Sequence, residues 1–186
     1  NLISHFAMLG TRAMSHDEGI HSYYSYTLGR NFDYKHDPPY HGPLLYHLNA
    51  LVYALAGDDD ATARALPAVA GVALVAVLFL LRPLLGRFGA FAAALVVSLS
   101  PVMLFYGRYI RNDVYVSLFY VVWSLAAFRY LRGGNVRWLW GVTIPMALGF
   151  AAKEVTFIFG ATIGAFFLAF GLFDGWRRRS HVGSRA

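Results

Sequence analysis

The sequence predicts an all-α membrane protein, a polytopic bundle of transmembrane helices, because of its composition and its pattern of apolar runs. Of the 186 residues, 58% are hydrophobic and 14% are charged, whereas about a quarter of the residues are charged in a typical soluble domain. The chain contains five apolar runs that each approach the length of a membrane span, approximately at residues 65–81, 88–106, 113–131, 138–152 and 155–173.

Charge placement argues against a nucleic-acid partner and predicts an orientation in the membrane. The net charge is +6, but the basic residues lie between apolar runs rather than along one helix face. Most arginines fall at one end of the runs and in the C-terminal segment: Arg82, Arg87, Arg129, Arg132, Arg137 and residues 177–179. By the positive-inside rule this end is cytoplasmic, and residues 174–186 form a basic cytoplasmic tail.

The absence of cysteine and the nature of the first residues limit the chemistry and the topology. Without cysteine there is no disulfide framework, thiol nucleophile or thiolate metal site. Residues 1–14 have neither the charged start nor the cleavage site of a signal peptide, and they are too short to span a membrane. We therefore expect residues 1–14 to be the end of a truncated first transmembrane helix, and 1–186 to form one membrane domain.

A helix along the membrane surface is predicted directly after this segment. Ser15 and Glu18 have the Ser-x-x-Glu spacing of a capping box, which marks a helix start. Apolar and aromatic residues then recur at spacings of three and four, at Ile20, Tyr23, Tyr24, Thr27 and Leu28. An amphipathic helix of this kind lies in the interface rather than across the bilayer.

A loop and a short apolar helix follow before the first apolar run. Pro38, Pro39 and Gly42 break the segment 31–42, which predicts a loop. Pro43 suits a helix start and Gly57 a helix end, so residues 43–56 are predicted to be helical. At about 21 Å this helix is shorter than the roughly 30 Å hydrocarbon core, and we interpret it as re-entrant or interfacial.

If residues 43–56 do not span the membrane, three polar segments share the outer face: the loop region 15–64, the segment 108–113 and the turn 153–154. Charged residues of these segments stand at helix boundaries: Asp17, Glu18, Asp113, Glu154, Arg108, Arg111 and Lys153. Carboxylates in such a group can deprotonate a hydroxyl or hold a divalent cation, while arginine and lysine can clamp a phosphate. The residue types therefore favour a candidate active site on this face.

Four ordered motifs resemble the lipid-sugar-dependent glycosyltransferases of the protein O-mannosyltransferase type. They are His16-Asp17-Glu18, the Pro-Pro-Tyr-His-Gly-Pro run at 38–43, Ala-Arg-Ala-Leu-Pro at 63–67 and Tyr-Gly-Arg-Tyr-Ile-Arg-Asn-Asp at 106–113. The resemblance is closest to the archaeal and bacterial branch called flippase activity-associated proteins. It covers nearly the whole chain and corresponds to the N-terminal part of these longer proteins.

The resemblance implies the GT-C membrane fold, with an Asp-Glu pair and juxtamembrane helices in the first extracytoplasmic loop. It also implies a polyprenyl-phosphate-linked sugar donor and inverting transfer to the hydroxyl of an unknown acceptor, outside the plasma membrane of a prokaryote. The implied catalytic residues are Asp17 as base, Glu18 as its partner and Asp113 as a second acid. Candidate substrate-binding residues are Arg108 and Arg111 for the donor phosphate, with Tyr40, His41, Lys153 and Glu154.

The sequence departs from the related lipid A sugar transferases at one position. Those proteins carry a lysine immediately before the Pro-Pro pair, where this chain has Asp37. Lys35 and Lys153 are the alternatives for that phosphate contact.

Several candidate residues have simpler interpretations. One alternative is that Glu18 acts in the capping box and has no catalytic role. Another is that Arg108 and Arg111 extend their charged groups from a helix end toward the membrane interface. A divalent metal ion is a further possibility, because five histidines accompany the acids, although they follow no established ligand spacing: His16, His21, His36, His41 and His47.

Two other functions remain open beside an enzyme. The first is a transporter or flippase-associated subunit that binds a lipid-linked sugar without catalysis, and the second is an inactive family member. A transporter is expected to carry ionisable residues near the middle of its helices. Here nearly all lie at helix ends on one face, which favours the enzyme.

Overall fold

The computed structural model describes residues 2–34 and 41–183, and the regular structure of these residues is entirely helical. The helices are α1 (Leu2–Phe6), α2 (His16–Asn31), α3 (Leu44–Ala56), α4 (Asp60–Leu78), a 3₁₀ turn (Phe79–Leu81), α5 (Arg82–Leu99), α6 (Pro101–Tyr106), α7 (Asp113–Gly133), α8 (Arg137–Ala152) and α9 (Val155–Gly183). The all-α prediction is confirmed.

The chain divides into two compact units, Asn1–Lys153 and Glu154–Ala186. In the second unit α9 carries an apolar stretch, Val155–Phe173, with a mean hydropathy of 2.1. The first unit contains α1 to α8 and most of the predicted site residues.

The predicted helix boundaries before residue 60 agree with the structure. Ser15 caps α2, its hydroxyl accepting a hydrogen bond from the Glu18 amide while the Glu18 carboxylate accepts one from the Ser15 amide. Gly57 ends α3 with a φ of 93°, which glycine adopts without steric strain. The local capping signals were sufficient here because they act within one turn of the chain.

The polar side of α2, rather than its aromatic side, faces the protein. Glu18, His21 and Ser25 are buried, whereas Tyr23 and Tyr26 are 64% and 42% exposed. Burial of this polar side requires hydrogen-bond partners, which Arg64 provides for Glu18 and Tyr46 for His21.

Three stretches of the described residues are long and apolar enough to cross a membrane: Asp60–Leu99, Asp113–Gly133 and Val155–Phe173. The first has 40 residues, twice the length of one span, and Gly86 interrupts its helical geometry with φ 72° and ψ 173°. Past this kink α5 lies against α4, with Ala94 packed on Val75 and Leu78. The bundle of transmembrane helices is confirmed, while the number of five spans stays a prediction.

The predicted uninterrupted helix over 88–106 is wrong. α5 ends at Leu99, Ser100 is extended with ψ 119°, and α6 begins at Pro101. Proline disfavours the helical conformation in the residue before it, so Ser100 leaves the helix and caps the next one. The Ser-Pro pair was a visible signal for this break.

A core between α3, α4 and α7 fixes the ends of these helices relative to one another. Its buried members are Leu45, Tyr53, Ala63, Ala70, Ile110, Val114 and Tyr115. Helix α2 packs along α3, and α8 packs along α7. The starts of α2 and α7 and the end of α8 consequently lie on one side of the unit.

Candidate active site

Four charged side chains meet at these helix ends, and we call them the charged cluster: Asp17, Arg111, Asp113 and Lys153. Arg111 contacts both acids, with Nη1 3.4 Å from Asp17 Oδ2 and Nε 3.4 Å from Asp113 Oδ2. The Lys153 ammonium lies 2.7 Å from Asp113 Oδ1. A single guanidinium therefore bridges two carboxylates that are 96 residues apart in the chain.

Each member of the charged cluster occupies a helix boundary. Asp17 lies in the first turn of α2, Asp113 is the first residue of α7, and Lys153 is the C-cap of α8. Arg111 belongs to the connection between α6 and α7. Side chains at helix ends are held by the bundle yet remain open to solvent, and Asp17 is 48% exposed.

The contacts within the charged cluster differ in strength. The Lys153–Asp113 distance of 2.7 Å is that of a charge-assisted hydrogen bond. Both Arg111 contacts are longer, and the buried Arg111 Nε has no hydrogen-bond partner among the described residues. Arg111 therefore makes no short charge-assisted hydrogen bond with either acid.

His41 precedes a glycine that holds the loop close to the end of α8. The Gly42 amide donates a hydrogen bond of 3.1 Å to the Ala152 carbonyl. A Cβ at Gly42 would collide with the carbonyl oxygen of Ala151, so only glycine permits this approach. The loop therefore reaches the chain directly before Lys153.

Glu18 is separated from the charged cluster by its burial. Its side chain is fully buried, and Arg64 Nε and Nη2 donate hydrogen bonds of 2.9 and 3.2 Å to its two carboxylate oxygens. Burial alone raises the pKa of Glu18, but the hydrogen bonds from Arg64 and Ser15 and the charges of Arg64 and Arg12 bring it below the usual value. Glu18 thus acts as helix cap and ion-pair partner, and its assignment as the catalytic partner of Asp17 stays a prediction.

Arg64 is the main residue whose role the sequence did not predict. Its guanidinium, only 1% exposed, also donates to the backbone carbonyls of Leu9 and Arg12 at 2.6 and 2.9 Å. The signal was present, since a charged residue near the start of an apolar helix requires a partner when it is buried. Arg64 and Glu18 fasten the N-terminal segment to α4.

Arg12 joins the same network from the solvent side. Its Nη2 lies 2.7 Å from Glu18 Oε1, and its guanidinium stands over the rings of Phe105 and Tyr109, 5.5 Å from each centroid. The Tyr109 hydroxyl is 2.6 Å from Ser15 Oγ. These contacts tie the start of α2 to the connection that carries Arg111.

Arg108 lies away from the charged cluster. It lines a cavity of about 300 Å³ together with Arg12, Leu104 and Phe105. Its Nη2 donates hydrogen bonds to the carbonyls of Ala7 and Met8. The two arginines predicted for the donor phosphate are therefore placed at different positions.

His21 is a buried neighbour of the charged cluster. Its Nδ1 is 2.9 Å from the Tyr46 hydroxyl. Burial, followed by the positive charges of His41 and Arg111, lowers the pKa of His21 from 6.5 to about 4, against an opposing effect of the nearby acids. His21 is consequently neutral near pH 7.

The remaining predicted features receive no test from this geometry. Tyr40 and Asp37 lie outside the described residues. Glu154 is the first residue of the second unit. Within the described ranges no group of three or more histidine and acidic side chains is arranged to hold a metal ion, and the divalent metal stays a prediction.

Comparison with known proteins gives the family. The sequence model of the dolichyl-phosphate-mannose-protein mannosyltransferase family matches residues 40–183. The chain belongs to this family. No curated protein sequence matches it significantly.

The fold of this mannosyltransferase-family chain is similar to that of ArnT from Cupriavidus metallidurans, whose crystal structure is of the apo state. The TM-score is 0.81 at 17% sequence identity, over 95% of this chain and 36% of ArnT. The likeness confirms the predicted GT-C membrane fold. The chain spans about a third of the length of this structural relative.

Proposed function

We propose that this chain is the donor- and base-carrying part of a membrane glycosyltransferase. The enzyme transfers a sugar from a polyprenyl-phosphate carrier to an acceptor hydroxyl on the extracytoplasmic face, with inversion at the anomeric carbon. The charged cluster carries the proposal, because it places an exposed carboxylate beside cations that suit a phosphate. Membership of the mannosyltransferase family supports it.

Asp17 is the proposed base. Its carboxylate takes the proton of the acceptor hydroxyl while the hydroxyl oxygen forms a bond to the anomeric carbon. On the opposite face of the sugar, the bond from the anomeric carbon to the phosphate oxygen breaks. Its electron pair leaves with the lipid phosphate, so the anomeric configuration inverts.

Arg111 is the proposed ligand of the leaving phosphate. Its two 3.4 Å contacts with carboxylates are loose, and its Nε lacks a hydrogen-bond partner among the described residues. A phosphate oxygen offers this guanidinium the shorter, charge-assisted hydrogen bonds that the acids do not supply. Lys153 holds Asp113 at 2.7 Å and orients it toward the same substrate.

A subunit that binds a lipid-linked sugar without catalysis is the alternative function. The described charges on the apolar helices lie near helix ends, as with Asp113 at the start of α7 and Arg132 in its last turn. A transport pathway is expected to place ionisable groups within the spans. This distribution favours the enzyme.

The test supplies membranes containing the full-length protein with a panel of polyprenyl-phosphate sugars and measures sugar transfer. We expect Asp17→Asn to reduce transfer at least about a hundredfold, the usual contribution of a general base. Asp58→Asn is the matched control, because Asp58 is likewise exposed and 3.4 Å from an arginine, Arg30, but lies outside the charged cluster. Equal transfer by the wild type and Asp17→Asn would contradict the base assignment.

A further inference from the structure

We propose that a cleft at the opposite end of the first unit binds the headgroup of an anionic phospholipid. We call it the arginine cleft, after its four arginines: Arg82, Arg87, Arg129 and Arg132. The proposed transfer reaction does not use these residues. Helix α7 extends from Asp113 in the charged cluster to Gly133 beside the cleft, and its 21 residues measure about 30 Å.

This length places the arginine cleft at the other membrane interface. The hydrocarbon core is about 30 Å thick, so a helix with one end at the charged cluster has its other end among the headgroups of the second leaflet. The cleft therefore meets lipid phosphates rather than the hydrocarbon interior. It also lies too far from the charged cluster to contact the same headgroup.

The arginine cleft consists of two adjoining cavities of about 390 and 310 Å³. Pro83 and Arg129 line both of them. Apolar side chains form much of the remaining walls: Phe79, Leu80, Leu84, Leu125 and Phe128. A basic opening above apolar walls matches a phosphate headgroup with the first part of its acyl chains.

Two of the arginines shape the cleft by bonding the backbone. Arg82 Nε donates a 3.0 Å hydrogen bond to the Phe79 carbonyl, and Arg132 Nη1 donates one of 3.3 Å to the Pro83 carbonyl. The Phe79 carbonyl belongs to the 3₁₀ turn between α4 and α5, and the Pro83 carbonyl belongs to the first turn of α5, before the kink at Gly86. Each of these two arginines keeps further guanidinium N–H groups that can donate hydrogen bonds to a ligand.

The other two arginines supply charge that the described side chains do not neutralise. Arg129 stands over the Trp138 ring, 5.0 Å from its centroid, which fixes the plane of its guanidinium. Arg87 lines the larger cavity at the start of α5. No carboxylate of the described side chains pairs with any arginine of the cleft, so the charge is available to a phosphodiester.

The test measures lipid binding by the full-length protein in detergent, titrated with phosphatidylglycerol or phosphatidylcholine and followed by native mass spectrometry. We expect the wild type to prefer phosphatidylglycerol and the double variant Arg87→Gln/Arg129→Gln to bind it about 25-fold more weakly, a factor of about five for each basic residue. Arg137→Gln is the control, because Arg137 starts α8 at the same end but lines neither cavity. An equal loss in the control, or no loss in the double variant, would overturn the proposal.

A second measurement uses folded wild-type protein and so does not depend on the double variant. Brominated phosphatidylglycerol is expected to quench the fluorescence of Trp138, which lines the smaller cavity, more than brominated phosphatidylcholine does. The Trp138→Phe variant identifies the contribution of this ring. Equal quenching by the two lipids, or release of the bound lipid by millimolar inorganic phosphate, would contradict a specific anionic-lipid site.

Discussion

The buried ion pair between Glu18 and Arg64 provides the clearest test of how the N-terminal segment is held to the bundle. Replacing Arg64 by methionine keeps an apolar side chain of similar length but removes every hydrogen bond of the guanidinium. The fully buried Glu18 carboxylate then keeps Arg12 as its charged partner, and the carbonyls of Leu9 and Arg12 lose their donor. Removing one partner of a buried ion pair costs about 3–5 kcal/mol.

The expected loss for Arg64→Met is near the lower end of that range, about 3 kcal/mol, because Arg12 still contacts Glu18. The measurement is the free energy of unfolding of the full-length protein in detergent, followed by circular dichroism during chemical denaturation. The control is Arg30→Met, which breaks an exposed 3.4 Å pair with Asp58 and is expected to cost less than about 1 kcal/mol.

A double variant separates the lost charge pairing from the lost packing. In Glu18→Leu/Arg64→Met no buried charge remains, so we expect it to be more stable than Arg64→Met alone. Recovery is incomplete, because the capping contact of Glu18 with Ser15 is also lost. Equal costs for Arg64→Met and Arg30→Met, or a double variant less stable than Arg64→Met, would refute the role assigned to this pair.

Three further predictions follow from the surroundings of the charged cluster. The pKa of His21 is lowered from 6.5 to about 4, so the unfolded chain binds more protons than the folded chain between these values. Stability therefore falls as pH drops through this window, by up to about 3 kcal/mol. The His21→Gln variant should lack this dependence when its unfolding is measured across pH 4–7, and an unchanged profile would contradict the prediction. Gly42→Ala places a Cβ against the backbone of α8 and should destabilise by about 1–3 kcal/mol, whereas Gly19→Ala, with open space around it, should be neutral or slightly stabilising by denaturation midpoint. Lys153→Met removes the 2.7 Å partner of Asp113 and should reduce sugar transfer about tenfold or more, with partial recovery in Lys153→Arg; full transfer by the methionine variant would exclude the proposed orienting role.

Signals that act within a few residues were readable from the sequence. The capping box at Ser15 and the glycine at residue 57 correctly predicted the start of α2 and the end of α3. The break at Ser100 is equally local, because Pro101 disfavours the helical conformation of the residue before it, and a single helix over 88–106 does not form. Helix ends are encoded locally because their hydrogen bonds reach only the neighbouring turn.

The grouping of Asp17, Asp113 and Lys153 was predictable by a different route. Each residue stands at a helix boundary, and the alternating topology of a membrane bundle brings boundaries on one face together. Their distances within the charged cluster agree with that inference. Topology determines which residues share a face, but it does not determine which side chains make contact.

By itself, the sequence determined the membrane class of this protein, the start of α2 and the start and end of α3. Only the tertiary structure decided that Asp17 remains exposed beside Arg111 while Glu18 is buried against Arg64. Adjacent residues of a helix point about 100° apart, so the two acids of the pair have different surroundings. Which acid faces the protein depends on where α4 presents Arg64, and that position is set by packing between segments distant in the chain.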